Sequence, residues 1–380
     1  MPQSDYLIDI ASETKFENQN DAYHKAYAKW RMAENNRFGY KFTKDIREHA
    51  YAYGQGFEQN DPADAERRTL RDCSSLIGGV LLISSLIRIA QAYFDSRSGH
   101  LFTATSLELT GHINKAQTNA TIALSLFKPL SLLLCIFLLQ FFLKLPRPVL
   151  FPKGSKGRGG VSMCFFGIIG GVSAICYIFS VFMKVFMSSD YMALPGGLVW
   201  CDNMWLNVHY FLSQYVVGAA LHAVFLNGLI MQSLRQFGDS TAAMFTAIIE
   251  GIMAVNLANI STHLIIGLMV ALMTVKSGSV ILSMLLRITV NVVFFILRFV
   301  DYYYPAHDGE LYTLLICITI MALALFSLGR LMANDRYEFT VKQGDTVMPF
   351  SVKMKIFFMS MPMIEFMTAS IVAWLYIVVA

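Results

Sequence analysis

His222, Glu250 and Arg287 are residues of chemically capable type in an unusual setting. A carboxylate or an imidazole can act as a general base or hold a metal, and a guanidinium can clamp a carboxylate bidentately. Here each of the three lies near the middle of an apolar stretch long enough to cross a bilayer, within Gly218–Asn291. A charge at the centre of a membrane helix costs about 2.5–3.5 kcal/mol on insertion scales, so such residues are few and usually paired. The economical expectation is a buried ion pair, Glu250 with Arg287, joining two spans. Asn291 follows Arg287 by one helical turn on the same face. A metal or proton-relay site would draw on His222, Glu250 and His263. One histidine and one carboxylate at unlinked positions fall short of the three protein ligands a catalytic zinc needs, and His263, after the turn NLANIST, belongs near a membrane boundary. The sequence holds no HExxH, GxSxG or P-loop pattern.

These residues must be positioned by membrane helices. Of the 380 residues 55% are hydrophobic and 15% charged, and the mean hydropathy is +0.50. Soluble domains carry about 25% charged residues, so the composition is that of an all-α, polytopic transmembrane bundle. The net charge of +4 is modest; it fits loop positives that orient spans and excludes a nucleic-acid footprint. Six cysteines show no metal spacing, and most fall inside apolar segments as small hydrophobes. The polar start MPQSDYLIDIASETKFENQ implies no cleavable signal, so the first span directs insertion.

Residues 1–72 form a cytosolic helical region, with short amphipathic helices expected over Asn20–Glu34 and Thr43–Phe57. Apolar segments follow near 73–94, 120–143, 162–187, 207–233, 241–259, 260–275, 279–299, 311–330 and 356–379, each about the length a hydrocarbon core requires. They divide into N-terminal spans (73–200), a central core (201–300) and C-terminal spans (301–380). The linker KLPRPVLFPKGSKGRGG is strongly basic, as are the surroundings of Arg235, Lys276 and 330–355, whereas 188–205 and 301–310 are not. The fold expected is a bundle of about eight or nine spans, and basic and non-basic linkers alternate as nine demand. The expectation is a multi-pass cell-membrane protein with its N-terminus cytoplasmic and its C-terminus outside. Phe237-Gly238-Asp239-Ser240 and Ser277-Gly278-Ser279 are turns, the first expected to cap its helix through Asp239 or Ser240.

The layout NGLIMQSLRQFGDSTAAMFTAIIEGIMA, continued by IIGLMVALMTVKSGSVILSMLLRITVN, resembles the core of the CPBP family, which contains CAAX-type prenyl-protein endopeptidases and bacteriocin-processing, Abi-like membrane proteases. The resemblance covers about residues 207–300. It rests on the landmarks LRQFG and VKSGSVILSMLLR. The family carries EExxxR, FxxxH and HxxxN motifs whose glutamates and histidines activate water, with or without a metal. In this register the glutamate pair falls on His222 and Ala223, and the motif arginine on Asn227. The FxxxH positions fall on Glu250 and Ala254. The HxxxN histidine becomes Arg287, and Asn291 alone matches.

General-base catalysis needs a carboxylate or imidazole in place, and a guanidinium cannot serve. The resemblance therefore implies a pseudoprotease whose catalytic cavity has become an ion pair, with His222 and Asn291 as hydrogen-bonding neighbours. Its expected work is binding, scaffolding or immunity. The partners expected are the lipid bilayer and a hydrophobic or lipidated peptide or membrane protein; no nucleic acid and no cofactor is expected. An active peptidase with a rearranged His222/Glu250 site, using zinc, is the alternative. A transporter, which would show an inverted repeat, comes last.

Overall fold

The computed structural model of the chain describes residues 7–9, 16, 18–33, 35–40, 43–45, 62–97, 108–113, 115–154, 159–187, 198–254, 259–304, 306–333 and 346–379. The protein is an all-α, multi-pass helical bundle with two small strand pairs.

Strand β1 (Leu7–Asp9) pairs antiparallel with β2 (Thr43–Asp45). Thr43–Asp45 is thus a strand where a helix was expected over Thr43–Phe57: pairing with β1 overrides local composition. Residues 46–57 lie outside the described residues. Helix α1 (Asp21–Met32) forms as its sequence predicts, with the Asn20 side chain accepting from the Tyr23 N–H at 2.8 Å.

The first membrane helix, α2 (Pro62–Arg97), begins about three turns before the expected start of the span, so Arg67, Arg68 and Arg71 belong to its first turns. The reason is Glu66, whose Oε2 accepts from the backbone N–H groups of Val347 and Met348, both at 3.0 Å, tying this turn to the C-terminal segment. Next come β3 (Glu108–Gly111), α3 (Lys115–Leu143), α4 (Arg147–Leu150) and α5 (Gly159–Met187). They are followed by β4 (Leu198–Cys201), parallel to β3, and a long helix α6 (Met204–Phe237) that winds as a π-helix over Phe211–Val217 and Val224–Ile230. Helices α7 (Asp239–Ile252), α8 (Ile260–Ser277), α9 (Val280–Tyr303) and α10 (Ala306–Met332) complete the core. The chain closes with α11 (Phe350–Phe358) and α12 (Met361–Val379), bent by 70° at their junction.

By length and apolarity, seven described helices can cross a membrane, or eight if the bent α11–α12 pair is one span. The expected fifth span is the exception. Helix α7 has 14 residues, a rise of about 21 Å against a hydrocarbon core of about 30 Å. Its end is fixed from outside. Arg88 Nη1 donates to the carbonyls of Met253 and Ala254 at 2.5 and 3.4 Å, and Trp374 Nε1 donates to that of Ala254 at 2.7 Å. Carbonyls at a helix end lack intrahelical donors and must find others where water is scarce.

Helices α2 and α12 run parallel. Ser74 Oγ reaches the Phe357 carbonyl at 2.5 Å and Ser360 Oγ at 2.6 Å, and farther along Ser85 Oγ meets Ser370 Oγ at 3.1 Å. One end of the bundle gathers the turns at Gly238 and Gly278. There Lys353 Nζ bridges Glu66 at 3.2 Å and the Phe237 carbonyl at 2.9 Å. The other end carries the β3–β4 pair, with Trp205, Tyr302, Tyr303, Tyr304 and Tyr312 exposed nearby, the residue types enriched at membrane–water interfaces.

The turns show how local sequence sets the bends. Gly278 takes a left-handed φ of +67° that ends α8, and Ser279 caps α9 by accepting from the Leu282 N–H at 3.4 Å. At Gly238 (φ +109°) the expected cap by Asp239 or Ser240 does not form. Asp239 instead turns back to bind Arg235 bidentately at 2.6 and 3.0 Å, a stronger contact than a neutral cap.

The N-terminal region is seated in this end of the bundle. Tyr23 donates to the Gln232 side chain at 2.7 Å, Tyr27 to the Gln232 carbonyl at 2.8 Å, and Trp30 to the Leu143 carbonyl at 2.7 Å. Burial pushes both tyrosine phenols well above their ordinary range.

Candidate functional site

Glu250 and Arg287 meet in the middle of the bundle. Glu250 comes from α7, whose Ile249 belongs to an apolar cluster shared with α2, α3, α6 and α12. Arg287 comes from α9, whose Leu286 and Val290 belong to a second cluster shared with α5 and α10. The pair thus sits on the seam between two apolar masses. Arg287 Nη1 donates to Glu250 Oε1 at 2.5 Å and Nη2 to Oε2 at 2.6 Å, a fork on a carboxylate. Side-chain exposure is 1% for Glu250 and 5% for Arg287. At such burial the charges require one another.

The remaining guanidinium hydrogens are also used. Asn227 Oδ1 accepts from Nη2 at 3.2 Å and from Nε at 3.4 Å. His222 Nδ1 lies 3.3 Å from Nη1. Arginine only donates, so Nδ1 is the accepting nitrogen and the imidazole proton sits on Nε2. His263, in the first turn of α8, brings Nδ1 to 3.9 Å from Glu250 Oε1, with its side chain 25% exposed. It was expected near a membrane boundary, and beside Glu250 only in the metal or proton-relay alternative; the shortness of α7 brings that turn close to Glu250.

The other family-equivalent positions divide. Ala223 and Ala254 are buried; Ala254 offers no side-chain function, though its carbonyl serves Arg88 and Trp374. Asn291 lies half-buried on α9, and none of the hydrogen bonds given to Arg287 runs to it. Asn227, not Asn291, occupies the neighbour's role anticipated for Asn291, and the cause is geometric. Residues 222 and 227 are five apart, off-face in an α-helix. The π-winding of Val224–Ile230, with its i→i+5 bonding, lets both reach Arg287.

Gly267, on α8, reads in the sequence only as a small residue that permits close helix approach. It proves to be the floor of the site: a Cβ there would fall 2.9 Å from the Glu250 carboxyl carbon and closer still to Oε2. The carboxylate is gripped by Arg287 and cannot swing away. Gly267→Ala is therefore expected to destabilise by about 1–3 kcal/mol, the usual cost of overpacking. A drop in the thermal midpoint of the detergent-solubilised protein checks it; an unchanged midpoint would show that the carboxylate is free to move.

Chemically, a carboxylate saturated by a guanidinium is a poor base, and a guanidinium is none. Among the described residues, no group of three His, Cys, Asp or Glu side chains is arranged to hold a metal ion. No family model, curated protein or solved structure matches the chain.

Proposed function

We propose that this chain is a degenerate CPBP-type membrane protein that does not hydrolyse peptides and acts by binding a hydrophobic or lipidated partner within the bilayer. The observation that carries the reading is the bidentate Glu250–Arg287 pair. In the register of the family resemblance, Arg287 stands at the histidine of HxxxN and Glu250 at the phenylalanine of FxxxH. The two substitutions compensate each other electrostatically, as expected of a cavity that has exchanged catalysis for structure.

The orientation we propose is N-terminus cytoplasmic and C-terminus outside. It is supported by the basic linkers around Lys153, Arg235 and Lys276, which belong to the end where the N-terminal region is seated. The parallel course of α2 and α12 carries the C-terminus toward the opposite end.

Metal content and peptidase activity of the detergent-purified protein test the proposal, alongside Glu250→Gln and His222→Ala. The expected result is no stoichiometric zinc, with Glu250→Gln lowering thermal stability and His222→Ala doing so far less. Stoichiometric zinc that disappears in both variants would replace this reading with an intramembrane peptidase built on His222 and Glu250.

A further inference from the structure

Lys128 is a lysine near the middle of the membrane helix α3, ten residues into the candidate span Thr118–Leu143. That places it roughly 15 Å from the start of the span. Its neighbours Leu126, Phe127 and Leu130 are exposed apolar side chains of the lipid-facing surface, and Lys128 is itself exposed among them. The lysine stem lies against α6: its Cδ and Cε would each be 3.8 Å from a Cβ placed on Gly218, one turn before His222.

Local backbone geometry holds it there. Pro129 has no N–H, which leaves the carbonyl of Ser125, four residues earlier, without its helical donor. The Gln214 side-chain amide, from the first π-helical stretch of α6, donates to that carbonyl. A proline-interrupted helix and a π-wound helix are thus stitched together one turn from Lys128. π-Segments of this kind recur at functional sites.

The electrostatics leave the ammonium without an anion. No described residue gives Lys128 Nζ a hydrogen bond or an ion pair. The carboxylate in this neighbourhood, Glu250, already has both oxygens on Arg287. One positive charge remains, on a residue that is itself exposed at the protein surface, at a depth where an unpaired charge is costly and marks a functional position.

We infer that Lys128 receives the oxyanion headgroup of an amphiphile, a carboxylate or phosphate on an apolar chain, docking from the bilayer against the outer face of α3 where it meets α6. The apolar tail lies along Leu126, Phe127 and Leu130, and the headgroup completes the charge balance of the Lys128–His222–Arg287 side of the core. The inference is independent of whether the core hydrolyses anything.

The test is a titration of the full-length protein in neutral detergent, read by thermal unfolding, with oleate, oleoyl lysophosphatidate, oleyl alcohol and inorganic phosphate. We expect saturable stabilisation by at least one of the two anionic amphiphiles, with apparent affinity about tenfold weaker in Lys128→Gln and retained in Lys128→Arg. Oleate alone identifies a carboxylate ligand, and lysophosphatidate alone a phosphate ligand. Equal binding of oleyl alcohol overturns the headgroup role, and equal binding of inorganic phosphate overturns the amphiphile. Undiminished oleate and lysophosphatidate binding in Lys128→Gln overturns the site. Should Lys128→Gln not fold, Lys128→Met takes its place with the same expectation, and the absence of any preference of the unaltered protein for anionic over neutral chains overturns the inference.

Discussion

Arg287→Met is expected to cost the fold about 3–5 kcal/mol, the range for leaving one partner of a buried ion pair alone. The expectation follows from what the substitution strands. Glu250 is 1% exposed and loses both of its short charge-assisted bonds at once. Asn227 Oδ1 and His222 Nδ1 lose their donor as well. His263 at 3.9 Å is the nearest remaining group able to take up the charge, at a longer distance and with no fork to offer. Polar contacts between membrane helices average only about 0.6 kcal/mol, because the alternative states also find partners. This contact exceeds that average because its loss leaves a full charge between two apolar clusters rather than a neutral dipole. The second arm separates stranding from simple loss of contact. Glu250→Gln combined with Arg287→Met should recover most of the loss, since removing both charges is often near neutral. Thermal and denaturant unfolding of the four proteins completes the cycle. A single variant within about 0.5 kcal/mol of the parent, or a double variant no better than Arg287→Met, would show that the pair is not what holds α7 to α9.

Legibility of this pair in the sequence has a physical source. In a chain so apolar, a charge at mid-span stands out against its neighbours, and an opposite charge on another span is its natural partner. The helical bundle was legible for the same reason, since twenty-residue apolar runs admit few other structures. What escaped notice depends on the local winding of the helix or on distant residues. Asn227 rather than Asn291 contacts Arg287 because α6 winds as a π-helix there, and periodicity read at 3.6 residues per turn places Asn227 on the wrong face. The length of α7 is set by Arg88 and Trp374, both more than a hundred residues away in sequence. The aromatic spacing of α1 announced an amphipathic helix, yet not that Tyr23, Tyr27 and Trp30 would hydrogen-bond into the ends of α6 and α3. The Lys353–Glu66 bridge joins residues whose separate charges looked like ordinary loop positives and helix-start negatives.

Two adjacent glycines in α2 give the other large effect and its own control. A Cβ on Gly78 would lie 2.7 Å from the Met363 nitrogen, 2.8 Å from the Pro362 carbonyl carbon and 3.0 Å from the Met363 Cα. All three are backbone atoms, so no side-chain rotation relieves the overlap; α12 itself must move. Glycine is needed here because two parallel helices touch backbone to backbone, the packing that small residues permit in membranes. Moving α12 away pulls on the Ser74–Ser360 and Ser85–Ser370 contacts on either side, and on Trp374, which caps α7. Gly78→Ala is therefore expected to destabilise by about 1–3 kcal/mol, and Gly78→Val by more. Gly79 has nothing within 4 Å of its would-be Cβ. Gly79→Ala should be neutral, or stabilising by about 0.5–1 kcal/mol through reduced chain entropy. The two alanine variants differ by one position and share composition, length and hydropathy, so bilayer insertion affects both alike. Comparing their thermal midpoints isolates the backbone contact between α2 and α12. Equal midpoints would mean that the two helices do not meet at Gly78.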